Sequence, residues 1–482
     1  MRKFLYSAVA IMATLLSTSC LYGIGSDEGA DIENTSGFKA EASTNVISAN
    51  GEDSVTFRAF YNGVDVTAES TLYNAATNEA LESMSFSTIA AGVFTFYITY
   101  GEHKSDDITI TAVMDIDLTD KNEEGLSVVL STNLIQVGKN YAAFIVRYNG
   151  KVLLPTEMEK VKIYDAENDT QITLEFVAAE NGEGTKYLLP AYYATEAGTK
   201  SFWIGYKLKN TRETPISITA VTSNIPASPV DAEPNNLNFV HRTLFTQLTG
   251  TWCGNCPYMI AAFHHLFEDE RYKDKFVHTA VHNGDPFAVT LEDGRDLGNI
   301  LNSSGNYPFV LANLSMSIVS HTLDKNISSI MGAIEGDLAT PACAAIAART
   351  ELKDNILLVR TSIKVSESAE YYVGAWLVES NLSSPQANST SIKADYIDIH
   401  ENVVRIADSK MKYNYYLGHP VGNVKAGERA DYLFVMELDP SWVVENCHLV
   451  LFASTVKNNL LTVTNVVKTE SLTSGVEFEY AK

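Results

Sequence analysis

The chain has 482 residues, a formal net charge of −24 at pH 7 and five cysteines. That charge excludes a general nucleic-acid binder, which needs a basic footprint on the phosphates. It also disfavours electrostatic docking on an anionic membrane surface. The length allows three or four domains with real cores, and so few cysteines leave stability to those cores rather than to a disulfide lattice.

Arg2 and Lys3 precede an apolar run, residues 4–16, followed by Ser17, Thr18, Ser19 and Cys20. The run is shorter than the roughly 20 residues of a bilayer span and has the charged, apolar and small-residue regions of a secretory signal. Cys20 after small residues resembles a bacterial lipoprotein processing site, where the thiol is diacylated and becomes the first residue. An ordinary cleavage site with an incidental cysteine is the alternative. Leu21, where an inner-membrane retention aspartate would stand, favours the outer membrane. Residues 1–20 are therefore read as signal and 21–36 as an acidic tether. The lipid anchor is the membrane partner, with the periplasmic or surface face left open.

Between residues 37 and 222 the chain repeats itself. Tyr61, Asn62 and Gly63 recur as Tyr148, Asn149 and Gly150, and Phe96, Tyr97 and Ile98 recur as Phe202, Trp203 and Ile204. Alternation such as Val55, Phe57, Ala59 and Tyr61 argues half-buried strands, with Asn-Gly as a hairpin turn. Two tandem all-β sandwiches, 37–115 and 125–222, are expected, and they resemble immunoglobulin-like domains of exported bacterial proteins. The second is nineteen residues longer between its landmarks. Neither repeats a histidine, cysteine or paired-carboxylate constellation, so spacer or binding module outweighs catalysis. Pro226, Pro229 and Pro234 make 223–238 a semi-rigid linker.

Trp252, Cys253, Gly254, Asn255, Cys256 and Pro257 follow. Two cysteines separated by two residues close a disulfide or clasp a metal. Residues 242–248 read as a strand, and Met259, Ala262, Phe263 and Leu266 recur at helical spacing. The pair thus lies where a strand turns into a helix N-terminus, whose amides and dipole favour a thiolate. Pro257 fits that first turn. A zinc site lacks a second C-x-x-C. His278 and His282 would stand roughly 13 Å apart on a strand. No metal or cofactor is assigned.

These residues, with the apolar strand 276–282 and Tyr307 and Pro308 ahead of another strand, resemble the thioredoxin-like superfamily. The phrase from Thr249 to Pro257 is similar to the Bacteroidetes twenty-eight-kilodalton outer-membrane-protein family, envelope proteins with a thioredoxin-like domain followed by a β-sandwich. The resemblance implies a cis bond before Pro308, facing the sulfurs. Where many thioredoxins hold a buried carboxylate, this chain has Gln247, which cannot carry a proton.

The expected fold class is therefore multidomain: two immunoglobulin-like sandwiches, a central α/β thioredoxin-like domain at 239–340 and a C-terminal all-β sandwich at 341–482. Alternation of Leu357, Val359, Thr361, Ile363 and Val365 supports the last. Cys343 and Cys447 are a candidate structural disulfide. The leading function is thiol–disulfide exchange on protein or peptide substrates. Cys253 is the exposed attacking thiolate, Cys256 the buried resolving thiol, and Trp252, Tyr307 and Pro308 the groove. The alternative is a non-enzymatic adhesion or glycan-binding lipoprotein that uses the fold as a scaffold.

Overall fold

A computed structural model of the protein describes residues 37–482 apart from 52, 115, 182, 292–293, 303, 320–321, 408–415 and 458–459. The signal, Cys20 and the tether lie outside the described residues.

Each repeat forms a two-sheet sandwich. In the first, Phe38–Ala42 and Val55–Tyr61 face a sheet of Val46–Ser48, Ile108–Val113, Gly92–Tyr100 and Thr71–Asn74. Period-two alternation sends Val55, Phe57 and Ala59 inward to meet Phe96, Ile98 and Ile110. The repeats share an uncommon pairing: Val46–Ser48 runs parallel to Ile108–Val113, and Leu134–Gln136 runs parallel to Ile216–Val221. Both Asn-Gly turns are left-handed at each residue (φ 49° and 81° at Asn62 and Gly63, 49° and 74° at Asn149 and Gly150). That is the backbone a tight hairpin requires. The extra length of the second repeat includes Glu175–Glu180, an added edge strand on Lys186–Tyr192.

The proline-containing segment 223–238 is not a free spacer. Arg429 donates to the Pro229 carbonyl (2.7 Å), and the Lys364 ammonium reaches both the Asp231 carboxylate (2.9 Å) and the Glu233 carbonyl (2.8 Å). Ile89, Leu134, Val221 and Ile225 also pack on Ile356, Leu358 and Leu433. Both sandwiches therefore dock on the C-terminal part of the chain.

The remaining chain supplies strands β1 (Thr243–Thr249), β2 (Phe276–His282), β3 (Phe309–Ala312) and β4 (Met316–Val319) with helices α1 (Pro257–Glu268), α2 (Leu297–Leu301) and α3 (Leu323–Leu338). Then come β5 (Ala344–Lys353), β6 (Ile356–Val365), β7 (Ala369–Glu379), β8 (Val403–Ile406), β9 (Arg429–Glu437), β10 (Cys447–Lys457) and β11 (Leu460–Lys468). One nine-stranded sheet runs β4-β3-β1-β2-β8-β7-β10-β11, with His419–Val424 paired to β7. Strands β5, β6 and β9 form a second sheet packed over it.

Here the expected fold class fails. The described chain is 46% strand and 11% helix, and 239–340 does not close into a separate α/β domain. Its strand β2 joins β8 through Ala280 and Val403. Residues 38–482 form one compact unit. The physical reason is burial. Every residue of β1 and β2 is buried, but α1 and α3 cover one face only, with Phe263 and Ile334 packed over Phe245 and Phe276. The other face, with Leu244, Leu248, Val277 and Val281, is covered by Trp376, Val450, Phe452 and Val466 from the far end of the same sheet. The sheet curls back on itself, and Val463 donates to the Asn313 carbonyl (3.1 Å) beside β3. Gly374 leaves room for the ring of its cross-strand partner Phe452, since a Cβ there would lie 2.1 Å from it.

The expected disulfide between Cys343 and Cys447 does not form; both are buried free cysteines. Each has its own neighbour: Cys343 lies against the Tyr371 hydroxyl, and Cys447 donates to the Val443 carbonyl (3.4 Å). Burial pushes the Cys447 thiol up to about 12, with Glu379 adding to it.

Candidate functional site

Strand β1 ends at Thr249, and the chain turns through Gly250 and Thr251 into Trp252. Cys253 and Cys256 are joined by a disulfide, and Cys256 caps α1 with Pro257 at its first position. The motif thus sits at the helix N-terminus expected from sequence. Helix α1 is held by Met259, Ala262, Phe263 and Leu266 against β1 and α3.

Trp252 is half exposed, at 49%. Its indole N–H donates to the Asn283 carbonyl (2.7 Å), and its ring meets Tyr307 edge-on at 5.1 Å. The Tyr307 hydroxyl in turn accepts from the Asn283 side chain (2.7 Å). The Tyr307–Pro308 bond is cis, and Pro308 leads into β3, which pairs with β1. Trp252, Tyr307 and Pro308 are therefore gathered beside the motif. Burial raises the Tyr307 hydroxyl, which stays protonated.

The expectation that Cys253 is exposed is corrected. Cys253 is 4% exposed and Cys256 0%. A stretch without regular structure after β7, which sequence reasoning left unassigned, lies against the motif loop. The Gln386 amide donates to the carbonyls of Gly250 (3.0 Å) and Cys253 (2.9 Å). Backbone N–H groups of Ala387 and Ser389 donate to the carbonyls of Thr251 (2.7 Å) and Gly254 (2.8 Å). Gly254 packs closely on Ser389, whose hydroxyl would lie 2.5 Å from a Cβ added there. The only sequence signal for this was the glycine inside the motif.

Two polar rungs cross β1 and β2 beneath α1. Gln247 is buried and accepts from His278 Nε2 (3.2 Å), while His278 Nδ1 accepts from Asn402 (3.4 Å). Burial, with Lys468 adding, pushes this imidazole down to about 3, so it is neutral. On the next rung, paired Thr249 and His282 leave Thr249 Oγ1 and His282 Nε2 without partners. His282 Nδ1 donates to Asp285 (2.7 Å), which also accepts from the Thr251 N–H (2.7 Å). Burial acts to raise the Asp285 carboxyl, but those bonds outweigh it and hold it ionised. The Asp285–His282 pair is thus the titratable couple bonded to the motif's own loop, where sequence offered only Gln247. A cavity of about 230 Å³ borders these rungs, walled by Ile260, Phe263, Phe267 and Tyr396.

Fold and site define a β-rich protein of several packed sheets with a covered disulfide at one helix N-terminus. Among solved structures, the chain is similar to HBP35 of Porphyromonas gingivalis (15% identity, 51% of this chain and 79% of that one, TM-score 0.39). It is also similar to a domain of the outer membrane lipoprotein Omp28 from the same organism (21%, 29% and 92%, TM-score 0.18) and to the Escherichia coli adhesin FdeC (12%, 40% and 66%, TM-score 0.14). No family model and no curated protein matches the chain.

Proposed function

We propose that this chain is an outer-membrane protein, lipid-anchored at Cys20, that exchanges thiols and disulfides with protein or peptide partners through Cys253 and Cys256. The observation that carries the chemistry is the disulfide at the N-terminus of α1, beside the exposed Trp252 edge and Tyr307. A substrate thiolate attacks Cys253 Sγ, the Cys253–Cys256 bond breaks, and Cys256 leaves as thiolate. The second substrate thiolate then attacks the mixed disulfide, which closes the substrate disulfide and releases Cys253. Two electrons pass to the protein, and the protons shed by the substrate thiols return to the two cysteines. A substrate disulfide reverses each step. The helix-end amides favour the thiolate form.

A second reading, a non-enzymatic adhesion or glycan-binding protein with a structural disulfide, is favoured by the burial of both sulfurs. The test is Cys256→Ser incubated for hours with a millimolar disulfide-bonded peptide. A peptide adduct on Cys253, absent from pre-reduced wild type because Cys256 resolves it, supports exchange. No adduct on Cys253 leaves the structural reading. The anchor is tested separately: Cys20→Ala should move to the soluble fraction, since acyl chains contribute about 0.8 kcal/mol per buried methylene. Retention after a salt wash places the anchor elsewhere.

A further inference from the structure

We infer that residues 386–389 are an internal stand-in for substrate: a strap that closes the Cys253–Cys256 site and shows which ligand the site accepts, an extended polypeptide segment. The inference rests on the exchange reading for its biology and on the strap geometry for its structure.

Four carbonyls of the motif loop, those of Gly250, Thr251, Cys253 and Gly254, accept hydrogen bonds from the strap. Two come from backbone N–H groups at alternate residues, Ala387 and Ser389. In an extended chain, alternate N–H groups point to the same side. Any extended segment can therefore offer the same pair, whatever its side chains, while Gln386 adds a side-chain fork. Extended peptides are recognised elsewhere by main-chain bonds of this kind. The contact is close because Gly254 carries no Cβ where Ser389 lies.

The strap is also built to be held and exchanged. Its entry is fixed away from the motif: the Gln386 N–H donates to Asp398 (2.8 Å), and the Ser384 N–H donates to the Asp398 carbonyl (3.0 Å). Its middle, Ala387 through Ser389, is exposed on its outer side. With the strap down, both cysteines are buried. A partner must first displace 386–389 and take over its hydrogen bonds. The site is thus selective for segments that are extended and offer free N–H groups, and it is silent otherwise.

The experiment measures how fast tris(2-carboxyethyl)phosphine reduces Cys253–Cys256 in the folded full chain. Gln386→Ala removes the side-chain fork, and Ala387→Pro, at an exposed position, removes one backbone donor. Each variant should be reduced at least tenfold faster than wild type. A peptide of residues 384–392 added in trans should restore slow reduction to Ala387→Pro, and the same peptide N-methylated at Ala387 and Ser389 should not. Unchanged reduction rates in both folded variants overturn the strap, and a peptide without effect overturns its role as a stand-in for substrate. Faster reduction with no peptide adduct on Cys253 in the Cys256→Ser background keeps the strap and removes the exchange reading. The two failures are therefore separable.

Discussion

His278 shows how one residue sets a pH limit on the fold. Its ring is buried under α1 and bonded as a neutral imidazole to Gln247 and Asn402. In the unfolded chain a histidine titrates near 6.5, whereas burial holds this one at about 3. Between those values the unfolded chain binds a proton that the folded chain refuses. Stability is therefore intact above about 6.5 and falls as pH drops towards 3, by about 1.4 kcal/mol per pH unit for one such group. Burial likewise takes His448 down to about 3. Urea midpoints measured from pH 7.5 to pH 4.5 should fall steadily, and His278→Gln should remove one proton's worth of that slope. A slope unchanged in His278→Gln would show that the ring is charged in the folded state.

At this scale the sequence located the cysteine pair but not the segment that lies against it. The strand-to-helix setting of Cys253 and Cys256 follows from local periodicity, and it is where the structure places them. The loop that carries both sulfurs is bonded by Gln386, more than a hundred residues downstream in a stretch with no periodicity of its own. Only the absence of a side chain at Gly254 hinted at a close neighbour. The Asp285–His282 pair was equally hidden, since its members belong to a strand end and a loop that nothing in the motif singles out.

Strand β6 is the element that ties the parts together. Its apolar residues Leu357, Val359 and Ile363 enter one core, and Arg360, Ser362 and Lys364 alternate with them towards the segment 223–238. Alternation in sequence identified the strand. It could not say that the polar face is buried too, because a solvated face and one covered by a distant segment have the same pattern. Lys364 and Asp231 are both almost fully buried and 2.9 Å apart. The Tyr480 hydroxyl donates to Asp231 as well (2.5 Å). Removing only the lysine leaves a buried carboxylate without its cation, which costs about 3–5 kcal/mol in comparable sites. Lys364→Met should therefore lower the denaturant midpoint strongly, and adding Asp231→Leu should recover most of the loss. If the single variant costs no more than a surface substitution, the segment 223–238 leaves the sheet at no cost and the two sandwiches are hinged.

For the whole molecule, the decisive feature is that strands 200 residues apart complete one curled sheet. Local pattern identified β1, α1, β2 and β3, and the resemblance of the motif to thioredoxin-like proteins suggested a self-sufficient α/β body. What the pattern could not reveal was the second face of β1 and β2. Those strands are buried on both faces, so they need cover on both sides, and the stretch 239–340 has helices for one. The cover is Trp376, Val378, Val404, Val450, Phe452, Val463 and Val466, each at most 2% exposed. At about 1.5–3 kcal/mol per buried side chain, these seven contribute on the order of 10–20 kcal/mol. That matches or exceeds the roughly 5–15 kcal/mol by which a domain is stable at all. A fragment of residues 239–340 should therefore fail to fold, giving no cooperative thermal transition and poorly dispersed amide resonances. A fragment of residues 239–482, which keeps the curl closed, should unfold cooperatively. Its C-terminal sheet is left uncovered where Ile356, Leu358 and Leu433 meet the two sandwiches, so its midpoint should lie below that of the chain from residue 37. A cooperatively folding 239–340 fragment would restore the independent α/β body and make the shared sheet a matter of docking rather than of folding.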